Sequence, residues 1–387
     1  MTITGFEKVT AEVPIGLSPE ESATLPARYY YDPEIYNREM EEIFFKSWMY
    51  AGHVSQLAEA GAYITTEIGD QKIILIKGAD EEIRAFYNVC AHRGHILLEG
   101  EGRVTRITCP YHAWSYAPDG ELKSARGTDS MENFNLCDFG LTAVRAEAIA
   151  GFVFVNLDDS AKSLSESLPG FEEEVRRDVV QIDDLVLRTD SEGLAAPGVV
   201  ASNWKLLVEN FQECYHCKPA HGSLCTLFDV AKYETALHDN FTSAVSPSHE
   251  FEEVLENRAF DLTKNDAQKV GRFWFIWPNL SFTSIPGTPN ISIYRIDPLS
   301  PETAGNWTQA FRLEDDFSAQ NDERSNWGAF DAGPEDQALC ESVQQGMKQK
   351  GYTQGRIVYA DNSGPGQDGG ENAVHWHSRK VVDAVAQ

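Results

Sequence analysis

The feature that most restricts the fold of this 387-residue chain is a pair of short Cys/His segments in its first third. Cys90-Ala-His92 is followed, after sixteen residues (93–108), by Cys109-Pro-Tyr-His112. Two cysteines and two histidines in paired order suit either tetrahedral zinc or a [2Fe–2S] cluster with mixed ligands. Zinc fingers pair Cys with Cys and His with His, whereas each segment here offers one of each. In a mixed-ligand cluster the cysteines hold one iron and the histidines hold the other, so each loop must reach both metals.

The residues around this motif have the pattern of a small all-β domain. Short runs rich in Ile and Tyr are separated by Gly69-Asp70 and Gly78-Ala79-Asp80, which is typical of β-hairpins. A further, strongly apolar strand is expected at residues 151–157, and a polar stretch begins at Asp158. We therefore assign residues 47–158 to this domain.

The remainder of the chain alternates between helical and extended patterns. Asp32-Pro33-Glu34 begins a helix, with an N-cap aspartate and proline at the first helical position. Downstream, the sequence predicts helices at 171–178, 204–215 and 336–350 and strands at 271–277 and 290–296. This mixture predicts an α+β domain with an antiparallel sheet over residues 159–387, and a separate N-terminal helical segment at 1–46 that packs on it.

A second group of potential metal ligands lies in residues 209–225, ENFQECYHCKPAHGSLC. Non-haem iron(II) sites use two histidines and one carboxylate on one face of the metal and leave the other positions open. His216 and His221 can supply two of these ligands. Because Pro219 would break a helix, we expect His221 to lie just past a helix end.

The cysteines of this segment allow more than one interpretation. Cys214 and Cys217, three residues apart around His216, could form half of a zinc site or lie in the core. We take them as core cysteines, because thiolates are not the ligands that an oxygen-activating iron(II) site uses. The odd total of seven cysteines also argues against a disulfide framework.

The composition restricts the binding partners and the cellular compartment that we expect. The net charge of −28 argues against nucleic acid or an anionic membrane surface as a partner. No apolar run reaches the length that spans a bilayer, and the N-terminal sequence MTITGFEK lacks the basic-then-apolar pattern of a signal peptide. We therefore expect a cytoplasmic protein.

Both motifs resemble those of the Rieske non-haem iron oxygenases. Cys-x-His, a sixteen-residue gap and Cys-Pro-Tyr-His, followed by Trp114 and Tyr116, are similar to their Rieske domain. The second motif, a carboxylate followed by two residues, His, four residues and a second His, is similar to the motif of their catalytic domain. The resemblance covers nearly the whole chain and implies a [2Fe–2S] domain inserted near the N-terminus of a larger α+β catalytic domain of the helix-grip, START-like type. The implied cluster ligands are Cys90, His92, Cys109 and His112.

In the second motif, the resemblance implies that His216 and His221 hold a mononuclear Fe(II). The family's third ligand belongs to an acidic pair followed by four residues and Glu, a pattern that falls on Asp336. An acidic residue just after Pro334 is, however, also what any helix N-terminus prefers. Asn210 is a further candidate beside the iron.

Glu213 has a different role in this resemblance. In the family, the equivalent carboxylate is a bridge, which here would join His216 to His112 of an adjacent chain. Most members have Asp at this position, so the bridging geometry of the longer Glu is open. Glu here, followed by Cys-x-His-Cys and Pro-Ala-His, looks closest to the branch that acts on carnitine and glycine betaine.

The resemblance also implies partners. NAD(P)H electrons would arrive through a separate flavin and iron–sulfur reductase, and O₂ would be the oxidant. Electron transfer between subunits implies a head-to-tail ring, for which the family's solution is a homotrimer.

For the substrate, the run FWFIWPNLSF at 273–282 is the most informative stretch. As a strand it places Phe273, Phe275 and Trp277 on one face. Such a face can hold a quaternary ammonium by cation–π attraction, accept a flat aromatic substrate, or simply form core.

Three functional hypotheses follow. The first is a monooxygenase that hydroxylates or N-dealkylates a small quaternary ammonium or betaine compound. The second is an oxygenase of an aromatic acid or amine. The third is an iron–sulfur electron carrier or zinc-stabilised binding protein without oxygenase activity.

Overall fold

The computed structural model describes residues 15–16, 18–188, 198–249, 270–315, 332–359 and 370–386. These residues form two compact units. The smaller unit contains Phe44–Leu187 together with Phe311–Glu314, and the larger unit contains the described residues on either side of it in the chain. The smaller unit is thus inserted into the chain of the larger one, as the resemblance implies.

Helix α1, Pro33–Glu39, precedes the smaller unit and belongs to the larger one. It begins as the sequence predicts: Pro33 is the first helical residue, and the side chain of Asp32 accepts the N–H of Glu34 at 2.9 Å. A single π-helical turn, Met40–Phe44, continues it.

The smaller unit is mostly antiparallel β-sheet. Its strands are β1 Met49–His53, β2 Ala62–Ile68, β3 Gln71–Lys77, β4 Ile83–Tyr87, β5 Glu101–Arg103, β6 Ile107–Thr108, β7 Ser115–Tyr116, β8 Leu122–Ser124, β9 Ala143–Ile149, β10 Phe152–Asn156 and β11 Leu185–Leu187. Seven of them form one sheet in the order β1-β10-β9-β4-β3-β2-β5, and β6, β7 and β8 form a second sheet. Strand β11 pairs with residues 311–313 of the same unit.

The hairpin between β2 and β3 shows why this sequence folds into a sheet. Ile68 pairs with Gln71, so Gly69 and Asp70 are the two turn residues. Gly69 has a φ of 58°, a conformation that a residue without a side chain adopts at little steric cost. Residues 73–76 of β3 are completely buried, so both faces of this strand are covered.

Residues 159–187, expected in the downstream domain, group instead with the smaller unit. They form helices α2, Leu164–Ser167, and α3, Phe171–Asp178, before β11. The indole N–H of Trp48 donates to the carbonyl of Lys162 at 3.1 Å, and the N–H of Leu164 donates to Glu147 at 2.8 Å. These contacts with Trp48, just before β1, and with Glu147 of β9 hold the polar segment after residue 158 against the sheet.

The larger unit combines an antiparallel sheet with helices, the α+β architecture that the sequence predicts. Its strands are β12 Gly198–Val200, β13 Glu234–Leu237, β14 Phe241–Pro247, β15 Val270–Ile276, β16 Leu280–Ser284, β17 Asn290–Ser300 and β18 Thr303–Leu313. The last three residues of β18 are those already counted with the smaller unit. They lie in the order β18-β17-β16-β15-β14-β13, and β12 also pairs with β18. The helices are α4 Trp204–Phe211, α5 Cys217–Ala220, α6 Gly222–Leu227, α7 Gly333–Met347 and α8 Asn372–Val385.

Helix α4 is shorter than predicted and ends at Phe211 rather than at residue 215. The carboxylate of Glu213 accepts the backbone N–H of His216 at 3.0 Å, so a side chain takes the place of the helical acceptor there. Helix α7 begins at Gly333, three residues before the predicted start. Pro334 fits its first turn because the N–H of that position needs no partner within the helix.

Buried contacts tie α4 to α7. Gln344 of α7 accepts the N–H of Asn203, the N-cap residue of α4, at 2.9 Å, and its amide donates to the carbonyl of Tyr30 at 3.0 Å. The Cys340 thiol lies 3.6 Å from the carbonyl of Leu206. These contacts position two helices that are far apart in sequence.

The aromatic face of β15 is divided between two surroundings. Phe273 lies edge-on to Phe228, with ring centroids 5.9 Å apart. Phe275 and Trp277 instead lie against Trp376 of α8, with centroids 6.4 and 6.3 Å away. Phe275 is therefore core, whereas Phe273 and Trp277 are partly buried and pack against different neighbours.

Within the described ranges, no helix is both long enough and apolar enough to cross a bilayer.

Candidate metal centres

The first segment of the Cys/His motif forms a tight loop. The N–H of Cys90 donates to the carbonyl of His95 at 2.8 Å, and the N–H of Gly94 donates back to the carbonyl of Cys90 at 2.9 Å. Gly94 has a φ of 71°, in the left-handed region that glycine tolerates.

The second segment repeats this loop. Cys109 donates to the carbonyl of Trp114 at 2.8 Å, and Ala113 donates back to Cys109 at 3.0 Å. Ala113, at the position equivalent to Gly94, has a φ of 59°, which is costly for a residue with a side chain. Backbone strain of this kind is found where surrounding structure and function require it.

The four candidate cluster ligands divide by burial. Cys90 and Cys109 are each only 2% exposed, whereas His92 is exposed and His112 is partly exposed. The two imidazole rings are neighbours, with centroids 4.6 Å apart and an interplanar angle of 76°. Two inner thiols and two outer imidazoles are the division that a mixed-ligand [2Fe–2S] cluster requires.

The aromatic residues that follow the motif support the loops. Trp114 stacks on the ring of His92 at 4.7 Å, with an interplanar angle of 12°. The hydroxyl of Tyr116 accepts the N–H of Ala91 at 3.1 Å and lies 3.2 Å from the sulfur of Cys90. Burial, followed by the contact with Cys90, raises the pKa of Tyr116, so its hydroxyl stays protonated and can donate to that sulfur. Such hydrogen bonds tune the potential of a cluster.

One nitrogen in this motif indicates that a metal group belongs here. Nδ1 of His112 is buried and has no hydrogen-bond partner among the described residues. A buried polar atom left unpaired costs about 1–3 kcal/mol. Coordination of the nitrogen lone pair to iron would remove that cost, so the donor set fits a Rieske cluster.

The second motif brings its residues together from three helix ends. His216 precedes α5, His221 lies between α5 and α6, and Asp336 lies in the first turn of α7. His221 lies just past a helix end as expected, since it is the C-cap of α5. Pro219 does not break that helix, however, because it is the third of its four residues and lies in the first turn, where the N–H has no helical acceptor.

Three atoms of these residues converge on one point. Nε2 of His216 is 3.1 Å from Nε2 of His221, and Oδ1 of Asp336 is 3.2 and 2.9 Å from the same two nitrogens. A metal-to-ligand distance of about 2.1 Å places neighbouring ligands on one face of an octahedron about 3.0 Å apart. The donor set and its spacing therefore fit a mononuclear iron site, and the carboxylate that the sequence analysis selected is the one beside the histidines.

A glutamate holds the outer nitrogen of each histidine. Nδ1 of His216 and a carboxylate oxygen of Glu213 form a close hydrogen bond. Nδ1 of His221 is 2.7 Å from Oε2 of Glu335. A carboxylate on Nδ1 favours the tautomer that leaves Nε2 free to bind a metal.

The charges around the triad are balanced by these contacts. Burial lowers the pKa of His216, but hydrogen bonds to Asp336 and Glu213 outweigh burial and raise that pKa to about 9. Burial raises the pKa of Asp336, but its hydrogen bonds to His216 and His221 outweigh that effect and lower the pKa. Asp336 is therefore ionised, and a metal that binds at this point must displace the proton that these contacts hold on His216.

The structure places Asn210 at the edge of this group. Asn210 lies in the last turn of α4, and its Nδ2 atom is 3.4 Å from Nε2 of His216. It can therefore contact a molecule bound beside the triad.

The expectation for the cysteines needs a correction. Cys214 and Cys217 are buried as predicted, but they form a disulfide with each other instead of remaining core thiols. The turn around His216 brings their Cα atoms to 4.9 Å, within the range that a disulfide spans. The link is local and closes only the turn that carries His216.

The contact of Glu335 is not evident from the sequence. In the sequence Glu335 is half of an acidic pair at a helix start, where acids are common for electrostatic reasons. The signal available was its place beside Asp336, but which histidine nitrogen it meets depends on the packing of α7.

Comparisons with known proteins agree with both motifs. Residues 47–135 match the family Rieske [2Fe-2S] domain, and residues 171–387 match the family Ring hydroxylating alpha subunit (catalytic domain). The carnitine monooxygenase oxygenase subunit of Escherichia coli K12 is 38% identical over 366 residues, which cover 93% of this chain and 94% of that protein.

Two further relatives are similar. The glycine betaine monooxygenase oxygenase subunit of Chromohalobacter salexigens is 37% identical over 202 residues, 52% of this chain and 44% of that protein. The crystal structure of the quaternary ammonium Rieske monooxygenase CntA in complex with L-carnitine is 32% identical, with a TM-score of 0.82 over 97% of this chain and 99% of that one.

Proposed function

The chain belongs to the alpha subunits of the Rieske non-haem iron oxygenases, and on this premise we propose that it oxidises a small quaternary ammonium or betaine compound. It is an oxidoreductase, the oxygenase component of a system with a separate reductase. It carries a Rieske [2Fe–2S] domain and a catalytic domain that binds mononuclear iron. An electron carrier or a zinc-stabilised binding protein is thereby excluded. The observation that carries the substrate class is the alignment of a carnitine monooxygenase oxygenase subunit with 93% of the chain.

We assign as metal ligands the residues that both the sequence and the geometry support. The cluster ligands are Cys90, His92, Cys109 and His112, and the mononuclear iron ligands are His216, His221 and Asp336. When bound, the iron supplies the activation of O₂ beside the substrate. His216, His221 and Asp336 would supply three ligand atoms to that iron, and sites of this type keep further positions for substrate and oxygen.

Phe273 is the aromatic residue we assign to the substrate. It packs with Phe228 in the hydrophobic cluster that contains Cys214 and Cys217, the residues on either side of His216. A ring at this place can contact a quaternary ammonium near the iron ligands. Trp277 is already engaged, because the ammonium of Lys380 lies 5.1 Å from its ring centre.

A single-turnover assay tests the substrate class without a reductase. Reduced, iron-loaded protein is mixed with hydrogen peroxide and either carnitine, γ-butyrobetaine, glycine betaine, choline or a simple aromatic acid, and products are identified by mass spectrometry. We expect a hydroxylated betaine, release of formaldehyde from an N-methyl group, or cleavage beside nitrogen. Hydroxylated aromatic acids with unchanged betaines would instead support the second hypothesis. Phe273→Leu should raise the substrate concentration needed for half-maximal product by about 3–30-fold, the range that a lost cation–π contact predicts.

We also propose that electrons pass between chains through Glu213. Its carboxylate is hydrogen-bonded to Nδ1 of His216. The side chain is 11% exposed, and this exposed part can contact one histidine of another subunit. A reductase fed by NAD(P)H would reduce the cluster of one chain, and His112 of that chain would meet Glu213 of the next. Such head-to-tail contacts close into a ring, for which we propose a homotrimer in the cytoplasm.

Mixed oligomers test this route. His112→Ala lacks a cluster ligand and His216→Ala lacks an iron ligand, so each variant alone should be inactive. If electrons cross between chains, trimers assembled from an equal mixture should recover about a quarter of wild-type turnover, because one directed neighbour pair in four is productive. An inactive mixture whose trimers form normally would contradict the route.

A further inference from the structure

We propose that Glu335 is the positioning residue of the iron site and that it holds His221 in the orientation and tautomer that bind metal. The proposal rests on the assignment of His221 as an iron ligand. It concerns how that ligand is held.

The first observation is the contact itself. Oε2 of Glu335 is 2.7 Å from Nδ1 of His221, and Oδ1 of Asp336 is 2.9 Å from Nε2 of the same ring. Consecutive residues of one helix turn therefore meet opposite nitrogens of one imidazole. The ring is only 3% exposed, so water has little access to either nitrogen.

The second observation is the parallel with the other histidine. Nδ1 of His216 is held by Glu213, three residues earlier in the same turn, so that histidine is oriented by its own segment. His221 receives no such local carboxylate among the contacts described. Its orienting group comes from α7, more than a hundred residues later, together with the third ligand.

The two glutamates differ in their surroundings. The side chain of Glu213 is 11% exposed and bonds both Nδ1 and the backbone N–H of His216. The side chain of Glu335 is 47% exposed, and its contact in the site is with His221 alone. Glu335 is therefore suited to position His221, and it does not belong to the proposed electron route.

A simpler explanation makes a different prediction. Glu335 lies in the first turn of α7, where any acid interacts favourably with the helix N-terminus. For that role the charge matters and the length of the side chain does not. For the hydrogen bond to Nδ1 the length and an acceptor oxygen matter most.

Glu335→Asp and Glu335→Gln separate these explanations. Asp keeps the charge but is one methylene shorter, and Gln keeps the length and an acceptor oxygen but loses the charge. Each variant is treated with a chelator that removes the mononuclear iron and leaves the Rieske cluster, and Fe(II) is titrated back against a competing chelator. Visible Rieske absorption and circular dichroism verify folding.

We expect Glu335→Asp and Glu335→Ala to weaken Fe(II) binding by about 10–100-fold, the usual loss when an outer partner of a metal-binding histidine is removed. Glu335→Gln should bind Fe(II) more tightly than Glu335→Asp. Equal binding by all variants, or wild-type binding by Glu335→Asp with a loss in Glu335→Gln, would overturn the proposal. The readout needs no substrate, so its result is independent of whether the enzyme oxidises quaternary ammonium compounds.

The rate of electron transfer at saturating Fe(II) distinguishes the role of Glu335 from that of Glu213. Once iron is bound, Glu335→Ala should recover electron transfer from the cluster to a greater extent than Glu213→Gln does. Glu213→Gln should remain slow in that transfer however much Fe(II) is added. A Glu335→Ala protein that stays slow when fully loaded would place Glu335 on the electron route and contradict its role as a positioning residue.

Discussion

The two candidate metal centres are built in opposite ways. The ligands of the Rieske site come from two loops within residues 90–112, and each loop is closed by its own pair of backbone hydrogen bonds. The ligands of the iron site come from the turn at 216–221 and from Asp336 on a helix far downstream. The first site depends on local conformation, whereas the second depends on the packing of α7 against α4.

This difference explains what could be read from sequence. The spacing of Cys90, His92, Cys109 and His112 was informative because each loop folds by itself, so that position in the chain predicts position in space. The third iron ligand had no such signal, because an acid after Pro334 is equally expected at a helix start. Only the resemblance to a family selected Asp336, and only the fold shows it 2.9 Å from His221.

The largest expected effect is on the locally built site. His112→Ala should abolish the visible absorption of the Rieske cluster, because no neighbouring residue can replace the ligand. His95→Ala, which changes an exposed histidine of the facing loop, serves as the matched control and should keep the full absorption. Fe(II) binding at the other site should be unchanged in both, and a parallel loss of iron there would show that the two sites are not independent.

The next effect concerns the packing that builds the iron site. Gln344→Ala removes two buried hydrogen bonds, to Asn203 and to the carbonyl of Tyr30, and should lower the free energy of unfolding by about 2–4 kcal/mol. Fe(II) binding should weaken while Rieske absorption is kept. Gln345→Ala, at an exposed position of the same helix, is the control for changes in helix propensity. Equal behaviour of the two variants in urea unfolding would contradict the role given to α4–α7 packing.

A smaller expected effect is the pH dependence of stability that His53 gives to the smaller unit. Burial lowers the pKa of His53 in β1 from 6.5 to about 4. Between these values the unfolded chain binds the proton and the folded chain does not, so this contribution to stability is complete above pH 6.5 and is lost as the pH falls toward 4. From pH 7 to 5 the loss is about 2 kcal/mol. Urea unfolding followed by Rieske absorption measures it, and His53→Gln should remove that part of the pH dependence. An unchanged slope in the variant would be the contrary result.

The smallest effect is that of the disulfide. Cys214→Ala combined with Cys217→Ala opens a loop of only a few residues, so the expected loss of unfolding free energy is about 1–2 kcal/mol. Cys137→Ala, at an exposed position, should cost less. Thiol titration of the unfolded wild-type protein before and after reduction should differ by the two thiols of this pair. An identical thiol count would mean that both cysteines are thiols, as the sequence analysis expected.

Most of the fold was predictable because its signals are local. Hairpin turns such as Gly69-Asp70, the cap at Asp32 and the alternation along β15 each follow from a few residues. The end of α4 was predicted wrongly because the side chain of Glu213 competes for a backbone N–H, which hydrophobic periodicity does not reveal. The division of the aromatic face, with Phe273 facing one cluster and Trp277 facing α8, depends on which elements cover the strand.

The variant His216→Ala tests whether the two metal centres of this chain are separate. We expect its Rieske absorption to stay intact, one iron per chain to be lost, and substrate turnover to stop. His249→Ala, beside the same segment but outside the ligand set, should keep both iron and turnover. Bleaching of the Rieske absorption in His216→Ala, or turnover that persists without His216, would mean that the two centres are not separate or that His216 is not an iron ligand.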